Sequence, residues 1–485
     1  MTYIPNTDSD RAEMLKVVGV ASLEDLFHDV PPEHRFPDLV MPPALSEMEV
    51  LRELGGLSDE NDDLNHAACF LGAGAYNHFV PSVVDFLLQR SEFSTAYTPY
   101  QPEISQGTLQ AHFEYQSMIC ALTGMEVANV SHYDGATAVA EAVIMALQVA
   151  RNKRDRVVLS PTLHPQYREV VHTYTQGMSL KLTGEDAPLG DLRALAVLCD
   201  KDVSCVIVQN PDFLGRLYTP AEMQALADRV HACGALFVVS TDPISLGLFQ
   251  PPGAYGADVV TGEGQPMGNG LNFGGPYLGF FAMKMRDVRR SAGRIVGETV
   301  DGSGKRGFVL TLSTREQHIK REKASSNICS NQALNALAAA IYLAAMGKYG
   351  LRTVAELSYH KAHFAAGLLG ALDGYAVAAG APFFKEFALR CPHPVSFVNQ
   401  VLLDEYGIVG GYDLGQDYLQ LANHMLLCVT EMNTRFEIEE LAEALAEIAG
   451  LDPAEYGADD VESADGGDNN DASSSVSHAR EVSHA

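Results

Sequence analysis

Short apolar runs alternate with stretches of helical period through most of this chain. The runs Val127 to Val130, Arg156 to Leu159, Val203 to Gln209, Leu236 to Ser240, Asp258 to Thr261 and Tyr277 to Met283 are largely apolar at successive positions, the pattern of strands covered on both faces. Between them, Ala136 to Ala150 is alanine-rich, Pro165 to Gln176 is amphipathic, and Pro220 to Cys233 opens with proline after Thr219 and stops at Gly234. Strand and helix alternating at this spacing predict an α/β fold with a mainly parallel sheet and helices on both faces. Ser330 to Met346 is apolar nearly all round, which predicts a helix buried between layers.

The same pattern divides the chain. Residues 1–64 read as an arm of short helices, with Ser22 and Asp25, and Ser46 and Glu49, at the spacing of capping boxes. Residues 65–345 carry the alternating elements of a large α/β domain. Residues 346–450 read as a smaller C-terminal α+β domain, with an amphipathic stretch Glu356 to Leu369, a strand at Met425 to Val429 and an acidic helix Arg435 to Ile448 stopped at Gly450. From 451 to 485, nine acidic residues stand against the single Arg480 among Ser, Gly and Asn, the composition of a disordered tail.

Composition sharpens this picture in three places. No run reaches the ~18 to 20 apolar residues of a membrane span, and the first residues have neither a basic nor an apolar leader region, so the chain is expected to be soluble and cytoplasmic. The eight cysteines are dispersed and form no CxxC pair, which predicts reduced core thiols, and the histidines show no metal-ligand spacing, so no metal is expected. The net charge is −29, and only 11 of the 33 basic residues are lysine. Such a field repels nucleic acid and anionic membranes, and its size suggests a halophilic protein, because salt near 1 M screens self-repulsion to ~3 Å.

Candidate chemistry begins with an absence. Between Lys201 and Lys284 there is no lysine, yet the apolar run ending near Ser240 delivers Asp242, followed by Pro243, where a carboxylate can pair with the ring nitrogen of pyridoxal phosphate. Asp242 as a simple turn cap is the other reading. After the next run come Gly262, Glu263, Gly264, Gln265 and Pro266, none able to form the imine that holds this cofactor. Asp134, Gly135, Ala136 and Thr137 lie between strand and helix, where backbone N–H groups can meet a phosphate or make a plain tight turn. Gly72, Ala73 and Gly74 lack the third glycine of a dinucleotide loop, having Asn77 there, so no nicotinamide site is expected. The segment TAYTPYQPEISQGTLQ, Thr95 to Gln110, sets tyrosines on a proline-stiffened loop, suited to a small polar ligand beside an aromatic ring. NFGGPYLGFFA, Asn272 to Ala282, has glycines that admit a close visitor, read here as a partner subunit's active site. Lys284, Lys320 and Lys323 remain as imine candidates for a chain working alone.

Those two segments, with GADVVTGEGQPMG (Gly256 to Gly268), REKASSNICSNQAL (Arg321 to Leu334), YIPNTDSDRAEML and GVASLEDLF, closely resemble the N-terminal subunit of the two-chain glycine decarboxylase, the P-protein of the glycine cleavage system. The likeness runs from about residue 3 to 450. It implies a fold type I pyridoxal phosphate-dependent transferase architecture, with a seven-stranded-type sheet and the smaller α+β domain. It implies that the cofactor lysine belongs to a second, homologous chain, with Gln265 or Pro266 at the equivalent position here. The partners implied are that second subunit, in a heterotetramer of two unlike pairs, glycine, and lipoylated H-protein, which receives the aminomethyl group after decarboxylation. On this resemblance Tyr97, Thr98, Tyr100, Gln101 and Glu103 line the partner's pocket, and Gly274, Gly275 and Pro276 approach the partner's cofactor phosphate. The alternative is a non-catalytic scaffold or regulatory subunit of the same fold.

Overall fold

The computed structural model describes residues 6–35, 40–61, 63–64, 66–94, 97–272, 274–324, 326–328, 331–378 and 381–453. The chain separates into two compact units, Met1–Asp63 and Leu64–Ala485. The acidic tail expected from residue 451 lies, from 454 onward, outside the described residues.

In the first unit, helices Asp8–Val18 and Glu47–Asp59 each start at a reciprocal capping box, Thr7 with Asp10 and Ser46 with Glu49. Ser22 and Asp25 also exchange hydrogen bonds, ahead of the short turn Glu24–Phe27. Neither helix buries a residue. Met48, Leu51, Leu54 and Leu57 stand exposed on the second.

The second unit is built on a seven-stranded sheet. Its strands are β1 Val127–Ala128, β2 Arg156–Leu159, β3 Lys181–Thr183, β4 Val203–Gln209, β5 Leu236–Ser240, β6 Val259–Glu263 and β7 Gly279–Met283. They lie in the order β1-β7-β6-β5-β4-β2-β3, with β3, β2, β4, β5 and β6 mutually parallel and β7 antiparallel to both its neighbours. Successive residues of each strand feed different cores. Val157, Leu159, Cys205, Ile207 and Val238 pack under helix Gly135–Val149, while Val158, Val206, Val208, Phe237 and Val239 pack on the opposite face with Tyr115, Leu226 and Ala336. This two-sided burial is why the strands are apolar throughout.

Three expected strands and the three expected helices between them fall on the observed bounds or within a residue of them, but β1 stops at Ala128, and the short edge strand β3 carries too little apolar sequence to announce itself. An antiparallel hairpin, Ile295–Val300 with Arg306–Thr311, was also not foreseen, because its strands expose much of one side. The apolar helix begins at Ala333 and runs to Leu369, joining the expected helix and the amphipathic stretch after it through a break at Gly347 (φ 58°, ψ −174°). By length and composition this helix carries a stretch apolar enough to cross a membrane. Its Ala336 to Ala340 and Tyr342 are instead packed in the core against helices Gln106–Thr123 and Ser82–Leu88.

A second, four-stranded antiparallel sheet, in the order Ala376–Val377, Glu386–Arg390, His424–Cys428, Tyr412–Asp413, packs with helices Val395–Tyr406 and Arg435–Ile448. The strand expected at Met425 to Val429 is His424–Cys428, one residue earlier.

Candidate functional site

Past the end of β5 the backbone turns at Asp242, and Oδ1 accepts the N–H of Ile244 at 2.8 Å. That is the turn-capping role. Oδ2 does more, lying 2.6 Å from the ammonium of Lys385, whose side chain is only 1% exposed. The same Lys385 Nζ donates to His78 Nε2 at 3.0 Å and stands 3.4 Å from the centroid of the Tyr76 ring. An ammonium has no lone pair, so Nε2 accepts, which leaves the ring proton on Nδ1 to donate to Glu431 at 2.7 Å. Burial first, then the Lys385 charge, hold His78 below its ordinary range. Glu386, the next residue, accepts from the Tyr76 hydroxyl at 2.8 Å and from the Ala73 N–H at 2.7 Å, and burial pushes its carboxyl up to about 7. The glycine-rich segment Gly72 to Gly74 is therefore a strap fastened over Asp242's neighbourhood. Among Tyr76, Gln209, Asp242, Phe384, Lys385 and Glu386 there remains a cavity of about 10 Å³, room for one water molecule.

The loop before helix Gly135–Val149 is a capping box, with Asp134 accepting the Thr137 N–H at 2.7 Å. Its Gly135 N–H donates to Glu263 Oε2 at 2.9 Å, and Oε1 of that carboxylate accepts from the N–H groups of Gln265 at 2.9 Å and Leu278 at 2.8 Å. Burial raises Glu263 to about 7, while these three backbone bonds work the other way. A Cβ at Gly135 would lie 2.4 Å from the Tyr167 hydroxyl, so glycine is required there. Gln265 is 1% exposed and spends its amide on Tyr76, accepting its N–H and donating to its carbonyl, both at 3.0 Å. Pro266 beside it is buried.

These residues do not fit pyridoxal phosphate. The space is too small for the ring, Asp242 already has a cation, the helix start already has a carboxylate, and no imine-forming side chain stands at 265 or 266. Lys385 cannot replace the missing lysine, because its nitrogen touches Asp242 itself, whereas the aldehyde of the cofactor is para to the ring nitrogen that such a carboxylate would meet. Lys284 pairs with Asp258 at 2.8 Å, at the start of β6. That is the opposite end of the strands from Asp242, about five residues of strand or roughly 16 Å away. Lys320 and Lys323 are exposed on short turns.

The tyrosine loop is different. Thr95 and Ala96 lie outside the described residues; beyond them Tyr97 is 83% exposed, Tyr100 is half-exposed, Gln101 and Glu103 are exposed, and Thr98 is half-buried. Gln106 pins the loop to the hairpin, donating to the carbonyls of Pro102 at 2.7 Å and Phe308 at 2.9 Å. Beneath Tyr100 sits buried Arg294, which donates to the tyrosine hydroxyl at 2.9 Å with its guanidinium carbon 5.3 Å from the ring centroid. The ring of His318 meets Tyr100 edge-on at 6.1 Å, and buried Glu316 lies 3.8 Å from Arg294 and 3.4 Å from His318.

Arg294 also reaches Asn331 at 3.4 Å, and Asn335, a turn along, donates to the Pro276 carbonyl at 2.8 Å. The two expected segments are thus tied to the same stretch at the start of helix Ala333–Leu369. Gly274 and Gly275 have φ of 91° and 137°, and a Cβ on Gly274 would meet nothing within 4 Å, so this backbone faces open space. Arg294, Lys385, Glu263 and the His78–Glu431 pair were not foreseen. A lysine inside FFKEF was a readable signal, since a charge in an apolar run needs a buried partner.

The two-sided sheet, the carboxylate past the end of β5 and the helix start beside β6 define a chain of the fold type I pyridoxal phosphate-dependent transferase architecture. The same fold is seen in a sphingosine-1-phosphate lyase of Burkholderia pseudomallei (TM-score 0.61, 15% identity, 86% of this chain and 94% of that one). The family model described as "Glycine cleavage system P-protein" matches residues 1–445. "Probable glycine dehydrogenase (decarboxylating) subunit 1" of Geobacillus kaustophilus is 51% identical over 448 residues, 92% of this chain and 98% of the relative, and that of Thermomicrobium roseum is 51% identical over 452 residues, 92% and 99%. The crystal structure of an inhibitor-bound glycine decarboxylase (P-protein) superposes with a TM-score of 0.83 at 45% identity, over 92% of this chain and all of that one. The chain belongs to the glycine cleavage system P-protein family.

Proposed function

We propose that this chain is one subunit of a two-chain glycine decarboxylase. The complex releases CO2 from glycine with pyridoxal phosphate and passes the aminomethyl group to the lipoyl arm of H-protein. The cofactor sits on the second, homologous subunit, and this chain completes that subunit's site from across an interface. One observation carries the reading: in a chain whose own cofactor position is closed, an exposed aromatic loop is held in place by a buried arginine.

Tyr97, Thr98, Tyr100, Gln101 and Glu103 then line the partner's pocket. Tyrosine suits the task, offering a flat apolar face and a polar tip with few rotatable bonds to freeze. The open space at Gly274 lets the neighbouring subunit's phosphate come near the backbone of Gly274, Gly275 and Pro276. The chain's division into an arm of 1–64, a large domain of 65–345, a small domain of 346–450 and an acidic tail belongs to the same reading, as do a heterotetramer of two unlike pairs and a cytoplasmic setting. The charge of −29 suits a salt-rich cytoplasm; a chain that keeps full stability in dilute buffer would not be halophilic.

Co-expression with the second subunit, mass measurement and a glycine-dependent CO2 exchange assay test the function. A stable complex whose exchange requires both chains is expected. Near-full exchange by the second chain alone would instead make this one a scaffold.

A further inference from the structure

We propose that this chain fills its own cofactor cradle, supplying from its side chains a stand-in for each group that pyridoxal phosphate would place there. Loss of a lysine alone would leave an open pocket able to take the cofactor non-covalently. The structure has a closed one instead. Opposite Asp242, where a ring cation would sit, is the Lys385 ammonium at 2.6 Å. On the Gly135 N–H, where an anion would meet the helix start, is the Glu263 carboxylate, which gathers the Gln265 and Leu278 N–H groups as well. Gln265, one of the two positions the resemblance sets against the partner's lysine, has both ends of its amide committed to the Tyr76 backbone.

The three stand-ins are mutually supporting. Tyr76, clasped by Gln265, lays its ring against Lys385 at 3.4 Å and its hydroxyl on Glu386 at 2.8 Å. Cation, anion and amide are each placed against the complementary partner, so no buried charge in the cradle is left alone. The consequence is that pyridoxal phosphate finds no open cradle on this chain, with covalent attachment or without it. The test uses this chain by itself, so failure of CO2 exchange bears on the function and not on the cradle.

The test is ion-selective rescue in the full-length chain. Glu263→Ala removes the anion stand-in and leaves three buried N–H donors, and Lys385→Ala leaves Asp242 unpaired. Both lower Tm. Acetate or inorganic phosphate, and not ethylammonium, is expected to raise the Tm of E263A in a saturable way at fixed ionic strength. Ethylammonium, and not acetate, is expected to do so for K385A. A folded variant that answers both ions alike, or neither, overturns the proposal. For wild type, pyridoxal phosphate is expected to leave Tm and the visible absorbance of the protein unchanged. Saturable binding to wild type would overturn the proposal whatever the variants do.

Discussion

Replacing Lys385 by methionine keeps most of the side chain's volume and removes its charge, which isolates the electrostatic part of the Asp242 contact. At 2.6 Å the gross attraction is about 6 kcal/mol at an effective dielectric constant of 20, and desolvating both groups offsets several kcal/mol of it. Truncating one partner has a different cost from deleting the pair. Asp242, nine-tenths buried, would be left with the Ile244 N–H at 2.8 Å and the longer Ser245 N–H at 3.4 Å, a loss expected at about 3–5 kcal/mol. Asp242→Asn should cost less, about 2–3 kcal/mol, because Lys385 keeps the His78 acceptor and the Tyr76 face. In the double variant neither charge remains, and the total should fall short of the sum by about 2 kcal/mol or more. The chain has no tryptophan, so urea unfolding is best followed by far-UV circular dichroism, reading the midpoint at constant m. Additive costs within about 0.5 kcal/mol, or a K385M cost below about 1 kcal/mol, would refute an ion pair as the closure of this site.

Other perturbations read out other parts of the molecule. In the reconstituted complex, Tyr100→Ala should lower kcat/KM for glycine-dependent exchange by about 5- to 150-fold, or about 1–3 kcal/mol; wild-type turnover would remove Tyr100 from the partner's pocket. Arg294→Met should reproduce much of that loss with the tyrosine still present, since Arg294 holds its hydroxyl and ring; an unchanged rate would mean that the loop holds itself. Glu141, buried with a 2.6 Å hydrogen bond from Ser326, is raised by burial from 4.5 to about 7, so its contribution to stability is full below pH 4.5 and lost as pH rises through about 7. Glu141→Gln should therefore be more stable than wild type at pH 8 by up to about 3 kcal/mol and little different near pH 4.5; a gap that does not widen with pH would contradict this. Gly215→Ala should destabilise by at least about 2 kcal/mol, because φ is 82° and the new Cβ would lie 2.0 Å from the Glu386 carbonyl oxygen; an unaltered urea midpoint would be the contrary result.

The order of residues alone was enough for the large sheet's inner strands. Val203–Gln209 and Leu236–Ser240 are apolar at almost every position because both faces are covered, and that signal is local. Helices with a proline at the start and a glycine at the end, such as Pro220–Ala232, were equally plain, since caps are set by neighbours in the chain. The absence of lysine between Lys201 and Lys284 was also legible, and with it the exclusion of an imine at 265 or 266. What closes the site was not. Lys385 reaches Asp242 across 143 positions of sequence, His78 reaches Glu431 across 353, and Tyr76 meets Glu386 across 310. A charge's partner at such distance is chosen by how two sheets come together, which no local period encodes. Arg294 beneath Tyr100 is the same case, 194 positions apart. Local pattern determined which segments fold and which chemistry is missing; the tertiary structure alone decided that the vacancy is filled, because only packing brings those opposite charges within a hydrogen bond of one another.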